Sequence, residues 1–226
     1  WLKDSSRKEH LMLISSYNPN ELGDILVVIT APDADDQITK IADDVAQITA
    51  EKDGALLGYN FMNASKILPE LTSENGQVFL DAAQVEKLNA KLQEAGFDKL
   101  LTADEDPKFV VGYVEKITDH PKSDHLKVTQ TRIADDKTVQ IVCGSPNVAE
   151  GIKVVVARPG AMMPDGKIIW PGQLMGVDSA GMLCGFRELR IKNAPDEKGL
   201  FIIPDDWQEV GEPVDFAKAD TFYPEN

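Results

Sequence analysis

The sequence contains few of the residues on which metal and redox chemistry depend, with two cysteines and three histidines among 226 residues. The cysteines, Cys143 and Cys184, lie far apart and cannot form a disulfide framework, a usage typical of a reducing compartment. No apolar run reaches the roughly 18–20 residues of a membrane-spanning helix. The first residues also lack the apolar centre of a secretory signal. A cytoplasmic globular protein is therefore expected.

An excess of positive charge is also absent, since the formal net charge is −15. Such a balance argues against indiscriminate binding to nucleic acid. The acidic residues are unevenly distributed. Residues 1–108 carry 10 Lys/Arg and 20 Asp/Glu, residues 109–206 carry 12 and 13, and residues 207–226 carry 1 and 5. The middle block is therefore where a polyanion would not be repelled.

The patterns that usually announce an enzyme are absent as well. The phosphate-binding patterns GxGxxG and GxxxxGK[ST] do not occur, and no GxSxG supplies a nucleophile. The cysteines are not spaced as CxxC. We therefore expect no catalytic residue, no metal and no cofactor.

The first hundred residues predict an α+β domain. Strands are expected at residues 12–17 and 24–30 and along ALLGYNFMNAS. One further strand is expected through residues 38–49, with Ile41, Val45 and Ile48 facing inward. One helix is predicted in LDAAQVEKLNAKLQEAG, with Asp81 as its N-cap, three leucine and valine positions at helical spacing, and Gly96 as its stop.

Composition divides the chain into five predicted segments. Residues 1–11 are polar and aperiodic and are expected to be a leader outside the fold. Residues 12–101 form the α+β domain, and the acidic, proline-containing stretch 102–108 is a linker. Residues 109–206 hold five short β-rich runs, the last being GLFIIP, with a helical turn expected at NVAEG between the third and fourth. This layout predicts an all-β OB-type barrel, followed by an acidic tail at 207–226.

The segment ITDHPKSDHLKV, residues 117–128, holds two of the three histidines. His120 and His125 are separated by a proline that breaks any helix able to place both on one face, and this disfavours a metal site. A turn between strands fits better, because proline sets φ and Ser123 and Asp124 hydrogen-bond their own backbone. Three lysines flank this loop: Lys116, Lys122 and Lys127. We expect a loop that positions and attracts a ligand.

Residues 109–206 closely resemble the tRNA-binding OB domain of the bacterial phenylalanyl-tRNA synthetase beta subunit and of endothelial-monocyte-activating polypeptide. The resemblance rests on FVVGYVEKITDHPKSDHLKVTQTRI, IVCGSPNVAEGIKVVVARPGAMMPDG and GVDSAGMLCGFREL. The ordered series HPxSDxL, IVCGSPN, VARPGA and SxGMLC is more specific than any single motif. The whole chain resembles stand-alone YtpR-type tRNA-binding proteins of Gram-positive bacteria, through its layout and through GDILVVI and GYNFMNAS.

This resemblance implies non-catalytic binding of tRNA by shape and backbone. In the family, a serine and a methionine of SxGM contact tRNA, and they correspond to Ser179 and Met182. Within the loop we expect contacts from His120, Ser123 and the three flanking lysines. The further candidates for phosphate contacts are Lys153, Arg158, Lys167, Arg187 and Arg190. Trp170 and Phe186 are candidates for base stacking or for the core.

Two other functions stay open. In the first, the protein is an interaction module that docks a synthetase or another translation partner, with the acidic N-terminal half as its contact surface. A homodimer is also compatible with the sequence. An enzyme that edits aminoacyl-tRNA would have to use Cys184 or His120, but no base–nucleophile pair is visible in the sequence.

Overall fold

The computed structural model describes residues 12–73 and 76–224, so the predicted leader lies outside the described residues. The chain divides into two compact units between Asp106 and Pro107. Both are mostly β. The elements of the first unit are β1 (Ile14–Tyr17), α1 (Pro19–Leu22), β2 (Ile25–Ile29), β3 (Gln37–Ala42), β4 (Val45–Ala50), β5 (Leu56–Met62), β6 (Gly76–Val78) and α2 (Ala82–Glu94), with 3-10 turns at Ala64–Lys66 and Pro69–Ser73.

The first unit is a six-stranded antiparallel sheet in the order β3-β4-β5-β2-β1-β6. Its core brings together the inward residues of the strands and Val85, Leu88 and Leu92 of α2. The predicted helix is confirmed. Asp81 and Gln84 form a reciprocal capping box at its start, and the positive φ of Gly96 stops it. Among the described residues of this unit, only one long helix accompanies the six strands, so the α+β prediction is met in part.

The prediction of one strand through residues 38–49 is wrong. The chain reverses at Asp43 and Asp44, whose φ angles are +44° and +63°, and forms the antiparallel strands β3 and β4. Consequently Val45 is buried as expected, but Ile41 on the edge strand β3 is 69% exposed. The turn was missed because it contains no glycine or proline.

The elements of the second unit are β7 (Phe109–Asp119), β8 (Lys127–Ala134), β9 (Lys137–Cys143), β10 (Lys153–Ala157), β11 (Gly172–Leu174), β12 (Val177–Ser179), β13 (Met182–Leu183), β14 (Ile202–Ile203) and α3 (Phe216–Ala219). The unit is built on a curled antiparallel sheet in the order β13-β10-β7-β8-β9. A bulge between Val114 and Lys116 bends the long strand β7, whose first half pairs with β10 and whose second half pairs with β8.

Two local predictions for the second unit are wrong. NVAEG forms turns and no helix. GLFIIP forms a strand as predicted, but a strand of only two residues, β14, beside β10. The sequence did not predict the β11–β12 hairpin. Residues 207–224 are not a separate tail, because Val214 and Ala219 lie in the core of this unit and Val111 donates its N–H to the Glu212 carbonyl.

No helix in the two described ranges is long and apolar enough to span a membrane.

Candidate nucleic-acid interface

The loop between β7 and β8 is held together by its own side chains. The Ser123 hydroxyl accepts hydrogen bonds from the N–H groups of His125 (3.4 Å) and Leu126 (3.2 Å). The His120 N–H donates to the Leu126 carbonyl at 3.1 Å and closes the loop. Ser123 therefore shapes this loop, as a serine in a turn does.

His120 is buried, only 3% exposed, and both of its ring nitrogens are engaged. Nδ1 accepts from the Lys122 N–H at 3.1 Å, so Nε2 carries the proton and donates to the Leu174 carbonyl at 3.0 Å. The imidazole thus ties the β7–β8 loop to the β11–β12 hairpin. Its predicted RNA contact has to be replaced by a positioning role, because no polar edge of the ring is exposed.

Ser179, at the end of the hairpin, ties β12 to β9. Its hydroxyl accepts from the Val142 N–H and donates to the Gly181 carbonyl, both at 3.1 Å. The Ala180 N–H donates to the Gln140 carbonyl at 2.8 Å. The segment that carries the SxGM motif thereby covers the edge of β9 that no strand of the curled sheet pairs with.

A cleft of about 690 Å³ opens beside this segment. Residues of the CGSPN motif form one wall, and Met182 and Leu183 of β13 lie on another, with further residues from 185–200. Asn147 fixes the far wall, since its amide accepts from the Leu200 N–H at 2.7 Å and donates to the Leu200 carbonyl at 3.2 Å. Met182 is only half-buried. The sequence did not single out Asn147, whose partner is distant along the chain.

Loop, hairpin and cleft are contiguous. Leu126 of the loop, Val128 and Val142 form one apolar cluster, against which Val177 of the hairpin packs. A Cβ added to Gly144 in the cleft would lie 3.0 Å from Leu126 Cδ2. The predicted residues of the loop, together with Ser179, Met182 and Arg187, therefore surround the end of β9, which we call the β9 rim (residues 120–126, 142–146 and 172–187).

A polar row crosses the sheet toward this rim. Lys116 pairs in register with Gln130, and Gln130 pairs with Gln140. The Gln130 amide donates to Gln140 Oε1 at 3.1 Å, and Gln140 donates to the Asp178 carbonyl at 2.9 Å. Sequence patterns alone did not identify the two glutamines. Gln130 lies between buried Thr129 and Thr131 and therefore faces the other side of the sheet, as does Gln140, its partner in register.

The cations near the rim differ in how far they are neutralised. Lys127 is ion-paired with Asp119, and Arg187 with Asp196 at 3.2 Å. Within the described ranges, no carboxylate lies within 4.0 Å of three exposed lysines: Lys116, Lys122 and Lys198. Unpaired exposed lysines are the groups best able to neutralise an incoming phosphate.

Other predicted cations serve the fold or lie elsewhere. Lys153 is 9% exposed, and its amino group donates to the carbonyls of Asp205 (2.7 Å) and Gln208 (2.9 Å), so it is withdrawn from a phosphate contact. Arg158 follows β10, where Ala157 pairs with Met182, and its guanidinium donates to the Pro107 carbonyl at 3.0 Å. Two further candidates are exposed: Lys167 and Arg190.

The remaining aromatic and thiol candidates are mostly buried. Phe186 is 5% exposed and packs edge-on against Tyr223, which makes it a core residue. Trp170 is half-buried before β11. Both cysteines are free and buried, and burial raises the pKa of Cys184 to about 12 and raises that of Cys143. Among the described residues, no three His, Cys, Asp or Glu side chains converge as metal ligands.

Comparison with known proteins matches both units. Residues 32–104 match the family described as a domain of unknown function (DUF4479), and residues 109–213 match the putative tRNA binding domain. The chain is 39% identical over 201 residues to the putative tRNA-binding protein YtpR of Bacillus subtilis, which covers 88% of this chain and 98% of that protein.

Similarities that cover a smaller part of this chain connect it to synthetase-related proteins. It is 42% identical over 146 residues to the phenylalanine–tRNA ligase beta subunit of Oceanobacillus iheyensis, covering 61% of this chain but 18% of the subunit. The structure of a MetRS-related protein from Pyrococcus horikoshii is 22% identical, with a TM-score of 0.35, and covers 52% of this chain and 99% of that one. That TM-score is too low to inform the fold.

Proposed function

This chain belongs to the family of the putative tRNA-binding protein YtpR, and we propose that it binds tRNA through its second unit without acting on it chemically. The observation that carries the proposal is the β9 rim, where the motifs of residues 109–213 meet. Folded RNA is read through its phosphates, hydroxyls and exposed bases, and the rim offers lysines beside a partly apolar cleft.

The contact residues that we assign are the exposed ones. Lys122 and Lys198 attract phosphates at either side of the rim, and Lys116 extends the positive surface along the polar row. Met182 lines the cleft and offers a polarizable surface to a base or ribose. His120, Ser123 and Ser179 hold these elements in place, which makes them positioning residues.

The finer fold that we propose for this unit is an OB-type barrel. Support comes from the strand order of the curled sheet and from the Ala180–Gln140 hydrogen bond, which brings the chain just before β13 to the edge of β9. Gly112 permits the tight curl, since a Cβ there would lie 2.4 Å from Val156 Cγ2. Barrels of this kind bind oligonucleotides on one face and its rim loops.

A non-catalytic role is supported by the state of the groups that an editing enzyme would use. Cys184 is fully buried, and its raised pKa keeps the thiol protonated near neutral pH. His120 has no nitrogen available for proton transfer from a substrate. The cytoplasmic location expected from the sequence stays a prediction.

The test compares salt dependences of tRNA binding for the full-length protein and two lysine variants. Each phosphate contact contributes about 0.7–0.9 to the slope of log K against log salt. Lys122→Ala is expected to lower the slope by about one contact. Lys137→Ala is the matched control, because that exposed lysine begins β9 and lies about 20 Å along the strand from the rim. Equal slopes for all three proteins would contradict the assignment of Lys122.

A further inference from the structure

The turn that joins β11 to β12 has an unusual residue at its tip. Leu174 pairs with Val177, so the loop consists of two residues, Met175 and Gly176. Their φ angles are +50° and +85°. Positive φ at both central positions is the requirement of a type I′ hairpin turn, for which asparagine, aspartate or glycine is strongly preferred at the first position.

Methionine is disfavoured in this backbone conformation because its Cβ crowds the following carbonyl oxygen. Such a choice persists when the side chain is needed for something else. Packing inside the unit does not account for it, since Met175 is 51% exposed and the neighbouring Leu174 is 43% exposed. The tip therefore presents two adjacent apolar side chains to the surroundings at a conformational cost.

The hairpin holds this tip in a fixed place. The Leu174 carbonyl accepts from His120, and the Gln173 amide donates to Asp178 Oδ1 at 2.7 Å across the two strands. At its base, the Asp178 carbonyl accepts from Gln140. A backbone that is already held in place loses little conformational entropy on binding, which favours the use of this tip in an interface.

The charge beside the tip indicates what occupies it. A Cβ added to Gly176 would lie 3.1 Å from Lys122 Nζ, so the lysine lies against the turn. An apolar pair next to an exposed cation matches RNA, in which the face of an unstacked base or a ribose lies a few ångströms from a phosphate.

We propose that Leu174 and Met175 form an apolar RNA-contacting tip that packs on an unstacked base or ribose of the bound tRNA while Lys122 takes the adjacent phosphate. The inference rests on the proposed tRNA binding and adds to it a contact that is not electrostatic. It also explains the methionine, since asparagine would relieve the backbone but could not supply an apolar surface.

The test is Met175→Asn in the full-length protein, with tRNA affinity measured across a salt series and thermal unfolding measured in parallel. The backbone argument predicts a melting temperature equal to or above that of the wild type. The contact argument predicts an affinity about three- to fivefold lower with an unchanged salt slope, because apolar area and no phosphate contact is lost. Met175→Gly, which also accepts this φ, serves as a second variant if the first does not fold.

A control substitution replaces an exposed apolar residue of the other unit. Ile41→Thr, on the edge strand β3, is expected to leave tRNA affinity unchanged. If wild type binds tRNA and both Met175 variants bind equally well, the tip proposal is overturned while the proposed function stands. If the wild-type protein binds no tRNA, both the tip proposal and the proposed function fail. Loss of a protein partner from Met175→Asn, with tRNA affinity unchanged, would assign the tip to a protein and overturn the RNA contact.

Discussion

Two hairpins, one in each unit, reverse the chain with a two-residue turn in which both residues have positive φ. In β3–β4 these residues are Asp43 and Asp44, and the Asp44 carboxylate accepts from the Asn63 amide at 3.1 Å. In β11–β12 they are Met175 and Gly176. Aspartate suits the backbone and has a partner within its own unit, whereas the exposed methionine does not suit it. The contrast separates a turn that the folded unit explains from one for which we propose a contact with RNA.

The largest effect is expected where the second hairpin is anchored. His120→Ala removes two partly buried hydrogen bonds, the one that Nε2 donates to the Leu174 carbonyl and the one that Nδ1 accepts from the Lys122 N–H. We expect the second unit to lose about 2–3 kcal/mol of unfolding free energy. Hydrogen exchange in β11–β12 should accelerate, while β3–β4 should keep its protection.

His125→Ala is the matched control for that change, because the His125 side chain is 72% exposed. It should leave both stability and exchange close to those of the wild type. Unchanged exchange in the β11–β12 hairpin of the His120 variant would show that the histidine does not anchor it.

A reciprocal substitution sharpens the comparison of the turns. Asp43→Met places in the first hairpin the residue type found in the second, and the positive φ should cost about 1–2 kcal/mol. Urea denaturation measures the loss, and Asp35→Met, outside the turn, is the control. No loss would mean that methionine is tolerated at positive φ, and the argument from Met175 would lose its basis.

A smaller, pH-dependent effect is expected at a third connection, between β1 and β2. Burial alone would raise the pKa of Asp24, but hydrogen bonds from Ser65 and Tyr17 outweigh it and hold the pKa below its usual value. A lowered pKa stabilises the fold above about pH 4, the unfolded value, and this contribution is lost as pH falls through the lowered pKa.

Ser65→Ala should therefore lower the unfolding free energy by about 1 kcal/mol at pH 7. The difference from the wild type should shrink on acidification, as measured by urea titrations between pH 7 and pH 3. A difference that stayed constant with pH would show that the serine acts independently of the Asp24 charge.

Local signals in the sequence predicted the elements that obey local rules. The helix α2 follows from its N-cap, its apolar spacing and Gly96, and the motif series identified the β9 rim. The β11–β12 hairpin was missed because its strands have three residues each and Met-Gly is not a usual turn signal.

The sequence identified the motifs that the fold brings together at the candidate site, but it did not identify the roles of their side chains. The sequence placed His120 and Ser179 at the interface, yet their partners, Leu174 and Val142, lie 54 and 37 residues away. Only the folded chain shows that these side chains are used internally. It also shows that Lys153 is buried, whereas Lys122 and Lys198 are exposed without carboxylate partners in the described ranges.

The most direct test of the account is the affinity of the full-length wild-type protein for bulk tRNA, measured by fluorescence anisotropy from low to physiological salt. We predict that tRNA binds and that log K falls linearly with log salt. The slope should correspond to at least two phosphate contacts, each contributing about 0.7–0.9. At low salt, phosphate contacts are strongest, although the repulsion between the acidic chain and tRNA is also screened least. Absence of binding under these conditions would contradict the assignment of the β9 rim to tRNA.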